Sequence, residues 1–173
     1  MRYFFVIPVF FFILGANGQS SDTARHNVPA SWKKFLIAPR VVVGIQKSFL
    51  TQVGFALQRY IYAERYGYIV YNIYSSFEWV PSTKGEKPLY GALAGYEIVN
   101  NGGAGAIEVK YLANNETNDV IITPKIGFGI GFINIFYGYN ISTNKYPFLR
   151  IGKSQFTLVI NTNLLFYASK YEK

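Results

Sequence analysis

From Ile122 to Phe132 the chain alternates without a break: Ile122, Pro124, Ile126, Phe128, Ile130 and Phe132 are apolar, while Thr123, Lys125, Gly127, Gly129 and Gly131 are small or polar. Successive side chains of a strand point to opposite faces, so a strict period of two demands a strand whose two faces meet different surroundings. The pattern recurs along the chain. Val53, Phe55, Leu57 and Ile61 alternate with Gln52, Gly54, Ala56 and Gln58, and Ile69, Tyr71, Ile73, Phe77 and Trp79 oppose Asn72, Ser76 and Glu78. Ile107, Val109 and Tyr111 stand against Ala104, Ala106, Glu108 and Lys110, and Phe156, Leu158, Ile160, Leu164 and Phe166 against Lys153, Gln155, Thr157, Asn161 and Asn163.

Side-chain size decides which face points where. Turned inward, the bulky faces would crowd a narrow barrel with Phe, Tyr, Trp and Ile at nearly every interior position. Turned outward, they leave the interior to Gly, Ala, Thr, Gln, Asn and a few charges, as in a membrane barrel. Soluble sandwiches also alternate, but their outward positions are polar and their inward ones bulky. A secreted or periplasmic soluble barrel that keeps large apolar side chains around a ligand cavity is the alternative. Composition agrees with an all-β chain: 173 residues with 15 Tyr and 15 Phe but one Met fit pleated sheets better than helices. A chain of this length holds one well-buried domain.

The expected architecture is an antiparallel up-and-down β-barrel of eight strands, near Arg40 to Gln46, Leu50 to Tyr62, Tyr66 to Trp79, Leu89 to Asn100, Gly103 to Ala113, Val120 to Phe132, Ile133 to Ser142 and Gly152 to Tyr167. Apolar positions are even-numbered through Phe132 and odd-numbered from Ile133, so a turn falls there. The break at Gln46-Lys47-Ser48 is weaker, because the parity runs through it from Ile45 to Phe49 and Val53. Asn100-Asn101-Gly102 is a short hairpin signal, whereas Val80 to Pro88, Asn114 to Asp119 and Thr143 to Leu149 are longer and polar. Long connections at one end and short ones at the other are expected of outer-membrane barrels.

Ahead of the barrel, Arg2 precedes an apolar run from Phe4 to Leu14, and Ala16-Asn17-Gly18 offers small residues to a signal peptidase. The run is shorter than the roughly 20 residues a membrane helix needs. Residues 1–18 are therefore read as a cleaved signal peptide, 19–39 as a polar leader and 40–173 as the barrel. Cleavage removes one basic group, Arg2, and turns the net charge of +8 into +7. Lys and Arg are scattered over loops and strand ends, without the basic helix or stripe that a nucleic-acid partner requires. Anionic outer-membrane lipid or lipopolysaccharide phosphates suit such cations better.

Chemistry is sparse. With no Cys and a single histidine, His26, in the leader, neither a His-centred triad nor a multi-histidine metal site can be assembled. Ser76, Glu78 and Ser154 supply hydroxyls and a carboxylate to a lipid-modifying barrel enzyme, with no pairing indicated. Gly127-Phe128-Gly129-Ile130-Gly131 is not a phosphate loop, because aromatic strand residues follow it where a nucleotide fold needs a helix. No catalytic, cofactor or metal site is expected. Alternation sends Glu97, Glu108, Lys110 and Lys125 inward from neighbouring strands, as a lumen cluster that fills the barrel by pairing or, alternatively, lines a solute path. Lys84, Glu86, Lys87, Asn115 and Lys145 are the candidate outer-loop contacts. Tyr62, Tyr66, Trp79, Tyr90, Tyr146, Phe148 and Tyr167 are candidates for aromatic girdles. Asn115-Glu116-Thr117 and Asn140-Ile141-Ser142 match the glycosylation tripeptide.

The signal sequence, the Thr123-Pro124-Lys125-Ile126-Gly127 lead-in to a strand, the aromatic-glycine stretch Phe136-Tyr137-Gly138-Tyr139-Asn140 and the Asn-rich apolar final strand resemble the small outer-membrane β-barrel proteins common in Bacteroidota. The resemblance covers Arg40 to Tyr167 and rests on composition more than on a specific motif. It implies the bacterial outer membrane as location and the barrel-assembly machinery as a partner. The chain departs from the commonest ending of such barrels, an aromatic residue at the extreme C-terminus, since Phe166-Tyr167 is followed by Ala168 to Lys173. The expected role is structural, adhesive or surface-interacting rather than enzymatic. The alternatives are a soluble carrier of an apolar ligand and a lipid hydrolase or acyltransferase.

Overall fold

A computed structural model describes residues 36–63, 67–82, 87–130 and 132–161, so the expected signal peptide and the leader up to residue 35 lie outside the described residues. The described chain is all strand and connection: β1 (Leu36–Ile45), β2 (Phe49–Ala63), β3 (Gly67–Val80), β4 (Leu89–Asn100), β5 (Gly103–Ala113), β6 (Asn118–Ile130), β7 (Ile133–Tyr139), β8 (Ile141–Ser142) and β9 (Ser154–Asn161). Neighbours in sequence pair antiparallel from β1 through β7, and β9 pairs with both β7 and β1, which closes the sheet. The two-residue β8 prolongs β7 along β6 in an unchanged register, from Lys125↔Gly138 to Ile122↔Ile141. The fold is thus an up-and-down barrel of eight staves, one of them interrupted at Asn140. There the Asn140 side-chain nitrogen donates to Gly152 O at 2.7 Å and to Gln46 Oε1 at 3.1 Å.

The boundaries follow the alternation closely. β1 begins at Leu36, so Leu36 to Pro39 belong to the barrel wall, paired with Gln58 to Phe55, and not to the leader. β9 is described from Ser154 to Asn161, and the remainder of the expected last strand lies beyond the described residues. The two parity observations in the sequence have one cause, namely that directly paired residues share a face. Ile45 pairs with Phe49 across a three-residue turn, which keeps the apolar face on odd numbers. Ile130 pairs with Ile133 across two residues, which moves it from even to odd. Asn101 and Gly102, at φ 46° and 88°, make the two-residue turn between β4 and β5. Positive φ at both central positions is what a type I′ hairpin asks for, and glycine meets it without strain.

The ladder also sets the barrel's dimensions. A path across the strands from Gly103 runs through Phe128, Ile135, Leu158, Val43, Thr51, Trp79 and Tyr90 and returns to β5 at Ala113, ten residues from its start. Eight strands with that stagger tilt by about 40° to the barrel axis, given a rise of ~3.3 Å and a spacing of ~4.8 Å. Such a barrel has an interior just wide enough for side chains to fill.

Polarity is inverted relative to a soluble domain. The outward positions carry Val41, Ile45, Val53, Phe55, Ile73, Phe77, Ile107, Val109, Ile126, Phe128 and Ile135, all exposed, with Phe128 at 74%. The inward positions carry Arg40, Gln52, Asn72, Glu78, Glu97, Glu108, Lys110, Lys125, Gln155 and Thr157, all buried. At the end with the long connections Leu50, Val80, Leu89, Leu112, Ile121, Phe148 and Ile151 form an apolar plug, and a smaller apolar cluster of Val42, Ala104, Ala106, Phe136 and Val159 lies deeper in the barrel.

Candidate functional site

The four charged residues expected in the lumen, Glu97, Glu108, Lys110 and Lys125, are all buried there. Glu108 and Lys125 meet directly, Lys110 follows Glu108 along the inner face of β5, and Glu97 lies on the neighbouring β4. Each belongs to an ion pair, and Arg40 and Glu78 complete the set: Arg40 to Glu97 at 2.9 Å, Lys125 to Glu108 at 2.7 Å and Lys110 to Glu78 at 3.5 Å. Three cations and three anions leave these pairs neutral in sum, the condition under which charges survive away from water.

The pairs are stacked along the barrel. Toward the short-turn end, Glu97 on β4 accepts from Arg40 on β1, from Asn72 Nδ2 on β3 and from Asn134 Nδ2 on β7, each at 2.8 to 2.9 Å. Both carboxylate oxygens are thereby engaged by three other strands. The Arg40 guanidinium also donates to Asn161 Oδ1 and lies 3.9 Å from the centre of the Tyr74 ring, where cation–π attraction adds to the pairing. Tyr74 has room because Gly95 faces it: a Cβ at that position would run into the Tyr74 ring. The Tyr74 hydroxyl donates to Glu108 Oε2, the oxygen that also accepts from Lys125. One layer nearer the long connections, Lys110 donates to Gln155 Oε1 at 3.0 Å, and Gln52 Nε2 donates to Glu78 Oε2 at 2.7 Å. Above this layer sits the apolar plug.

The rim at the long-connection end holds the other candidates. Lys84 and Glu86 lie outside the described residues. Lys87 is exposed and pairs at 2.8 Å with Glu116, a partner the sequence reading passed over in favour of its exposed neighbour Asn115. The Lys87 ammonium, by hydrogen bond and by charge, holds the Glu116 carboxyl below the usual carboxylate range. These two residues line a cleft of about 310 Å³ with Leu89, Asn114, Leu149 and Arg150. Lys145 is exposed in the connection after β8, where it and Tyr146 take left-handed φ of 52° and 59°. That connection is built rather than loose. Asp119 accepts from Ser142 Oγ, Thr143 Oγ1 and Asn144 N, and the Tyr146 hydroxyl donates to Asn140 O.

The remaining candidates occupy separate places in the barrel. Of the aromatic residues proposed for girdles, Trp79 and Tyr90 are exposed and directly paired, but Phe148 is buried in the plug, because the connection after β8 folds back over the barrel mouth. The side chains of Tyr62, Tyr66 and Tyr167 lie outside the description. Asn140 is buried and hydrogen-bonded, which closes it as a glycosylation acceptor, whereas Asn115 is exposed. Ser76 and Glu78 face the lumen but Ser154 is exposed and bonded to the Tyr137 hydroxyl, so the three do not converge on a reacting group. No group of three or more metal-ligating side chains occurs among the described residues.

These features define the class: a small closed antiparallel β-barrel with a charge-paired, side-chain-filled lumen and an apolar outer wall. In comparisons with known proteins, no family model, no curated protein and no solved structure matches the chain.

Proposed function

We propose that this barrel is an integral protein of a bacterial outer membrane, with a structural, adhesive or surface-interaction role and no catalytic one. The observation that carries the proposal is the inverted polarity of the wall. Exposed apolar patches beyond a few hundred Å² mark interaction surfaces, and here the apolar face continues around the barrel, from Val41 and Phe55 through Phe77 and Val109 to Ile126 and Ile135. The 11 residues of β5, at a tilt of about 40°, span about 28 Å along the axis, close to the ~25 Å apolar band of membrane barrels. No helix among the described residues is long and apolar enough to cross a membrane. An apolar-ligand carrier needs a greasy cavity, and the lumen instead holds three ion pairs below a plug. The same filling favours structural charges over a solute path.

With the long connections outward, lipid or lipopolysaccharide surrounds the wall, the barrel-assembly machinery inserts it, and the rim carrying Lys87, Asn115, Glu116 and Lys145 meets the outside. Fractionation tests this reading: processed protein should be recovered with the outer membrane, and recovery in the soluble pool would refute it. Protease added to intact cells should cut in the connection 81–88 before the Asn101-Gly102 turn. The reverse order would invert the topology.

A further inference from the structure

Among the described residues, the rim at the long-connection end is electrostatically lopsided. On the side of β3 to β6, Lys87 is neutralised by Glu116. On the side of β7, β9 and β1, Lys47 in the β1–β2 turn, Lys153 just before β9 and Lys145 after β8 are all exposed, and among the described residues none of them forms an ion pair. The other described acid of this rim, Asp119, is buried and committed to Ser142, Thr143 and Asn144.

The three lysines stand on adjoining staves of the rim. β9 lies between β7 and β1 in the sheet. Asn140 N donates to Lys153 O at 2.7 Å, and a Cβ at Gly152 would lie 3.3 Å from Lys47 N, so Lys47 and Lys153 flank the same point. The Tyr146 hydroxyl, bonded to Asn140 O, folds the turn that carries Lys145 back over the β7–β8 stave, and Asn144 ties the far side of that turn to Asn118 and Asp119 of β6. Immediately below, on the outer wall, Ile45 pairs directly with both Phe49 and Phe156, and all three are exposed. Uncompensated cations set over an apolar row fit an amphiphile with an anionic head. A soluble polyanion would use the cations alone.

We propose that this sector binds the phosphate headgroup of a lipid, with Lys47, Lys145 and Lys153 attracting the phosphate and Ile45, Phe49 and Phe156 lying along the acyl chains. The inference rests on the membrane reading above. It commits to one sector of the rim, which that reading leaves open.

The test uses the processed full chain. It should float with phosphatidylcholine vesicles and, in detergent, retain phosphatidylglycerol over phosphatidylcholine in native mass spectrometry. Replacing all three residues (Lys47→Gln, Lys145→Gln, Lys153→Gln) should lower phosphatidylglycerol retention by roughly tenfold or more. The corresponding Arg replacements should keep it, Lys87→Gln should leave it unchanged, and excess inorganic phosphate should not displace the lipid. If the Gln variant folds, floats and retains phosphatidylglycerol like the parent, or if inorganic phosphate competes as well as the lipid, this inference falls and the membrane reading stands. A chain that does not float takes both down.

Discussion

The ion pair Lys125–Glu108 in the lumen and the pair Lys87–Glu116 on the rim are almost equally long, 2.7 and 2.8 Å. The lumen side chains are 1% and 0% exposed, the rim side chains 56% and 70%. On the rim, water and salt screen the attraction, and two long side chains give up rotamer freedom to meet, so the pair adds little. In the lumen each charge has lost its hydration and depends on its partner. Such a pair is obligatory without being a large net gain, because desolvation offsets most of the Coulomb energy. Distance therefore says little about the importance of a pair in this molecule, and burial says much. Two of the three lumen pairs also join strands that share no ladder: Arg40 on β1 reaches Glu97 on β4, and Lys110 on β5 reaches Glu78 on β3. A slip of two residues between strands would preserve the inward and outward faces but separate these partners, so the pairs act on register, which alternation alone leaves free.

The largest effect is expected at Glu97. Glu97→Leu should destabilise the barrel by about 3–5 kcal/mol, since it strands the Arg40 guanidinium in the lumen, and removes the acceptor of Asn72 and Asn134. The double variant Glu97→Leu with Arg40→Met should recover most of that loss, as paired charges exchanged for apolar groups usually do. Urea unfolding in lipid vesicles measures both. A single variant no worse than the double would mean that the pair is dispensable.

A smaller effect is expected on the outer wall, and it depends on depth. Val109 stands near the middle of β5, whereas Phe128 pairs with Gly103 at the short-turn end. In a bilayer, Val109→Arg should cost about 2–4 kcal/mol and Phe128→Arg only about 0–1 kcal/mol. A wall that faces water would accept either change within about 0.5 kcal/mol. Equal and small costs at both positions would therefore sink the membrane reading, and equal large costs would misplace the midplane.

How far the sequence could be read follows from the same physics. A period of two is local, so it located the strands and turned Glu97, Glu108, Lys110 and Lys125 inward without knowledge of their neighbours. Partnership is not local. Arg40 and Glu97 are 57 residues apart, and their contact depends on the stagger accumulated over the intervening strands. Arg40 opened the first expected strand, but nothing in its local pattern names the acid it meets. The plug was missed for a different reason: Phe148 and Ile151 belong to a connection of mixed polarity, Thr143 to Lys153, where apolar groups fall without a periodic signal. The lysines at 47 and 153 were visible only as scattered charge until the closed sheet brought their strands side by side.

The smallest effect is expected where the comparison began, on the rim. Hydrogen bonding and charge from Lys87 hold the Glu116 carboxyl below its usual range in the folded protein. A group whose folded value is depressed contributes its stabilisation above the unfolded value and loses it as the pH falls through the folded one. The Lys87–Glu116 contact should therefore be intact at neutral pH and open only on acidification below the ordinary carboxylate range. Lys87→Met should return the Glu116 titration, followed by its carboxyl ¹³C shift, to an ordinary carboxylate value. The urea midpoint at neutral pH should not move, because both side chains are mostly hydrated in the folded state. A Lys87→Met variant as unstable as Glu97→Leu would show that the rim pair supports the barrel, and burial would then no longer explain the difference between two pairs of the same length.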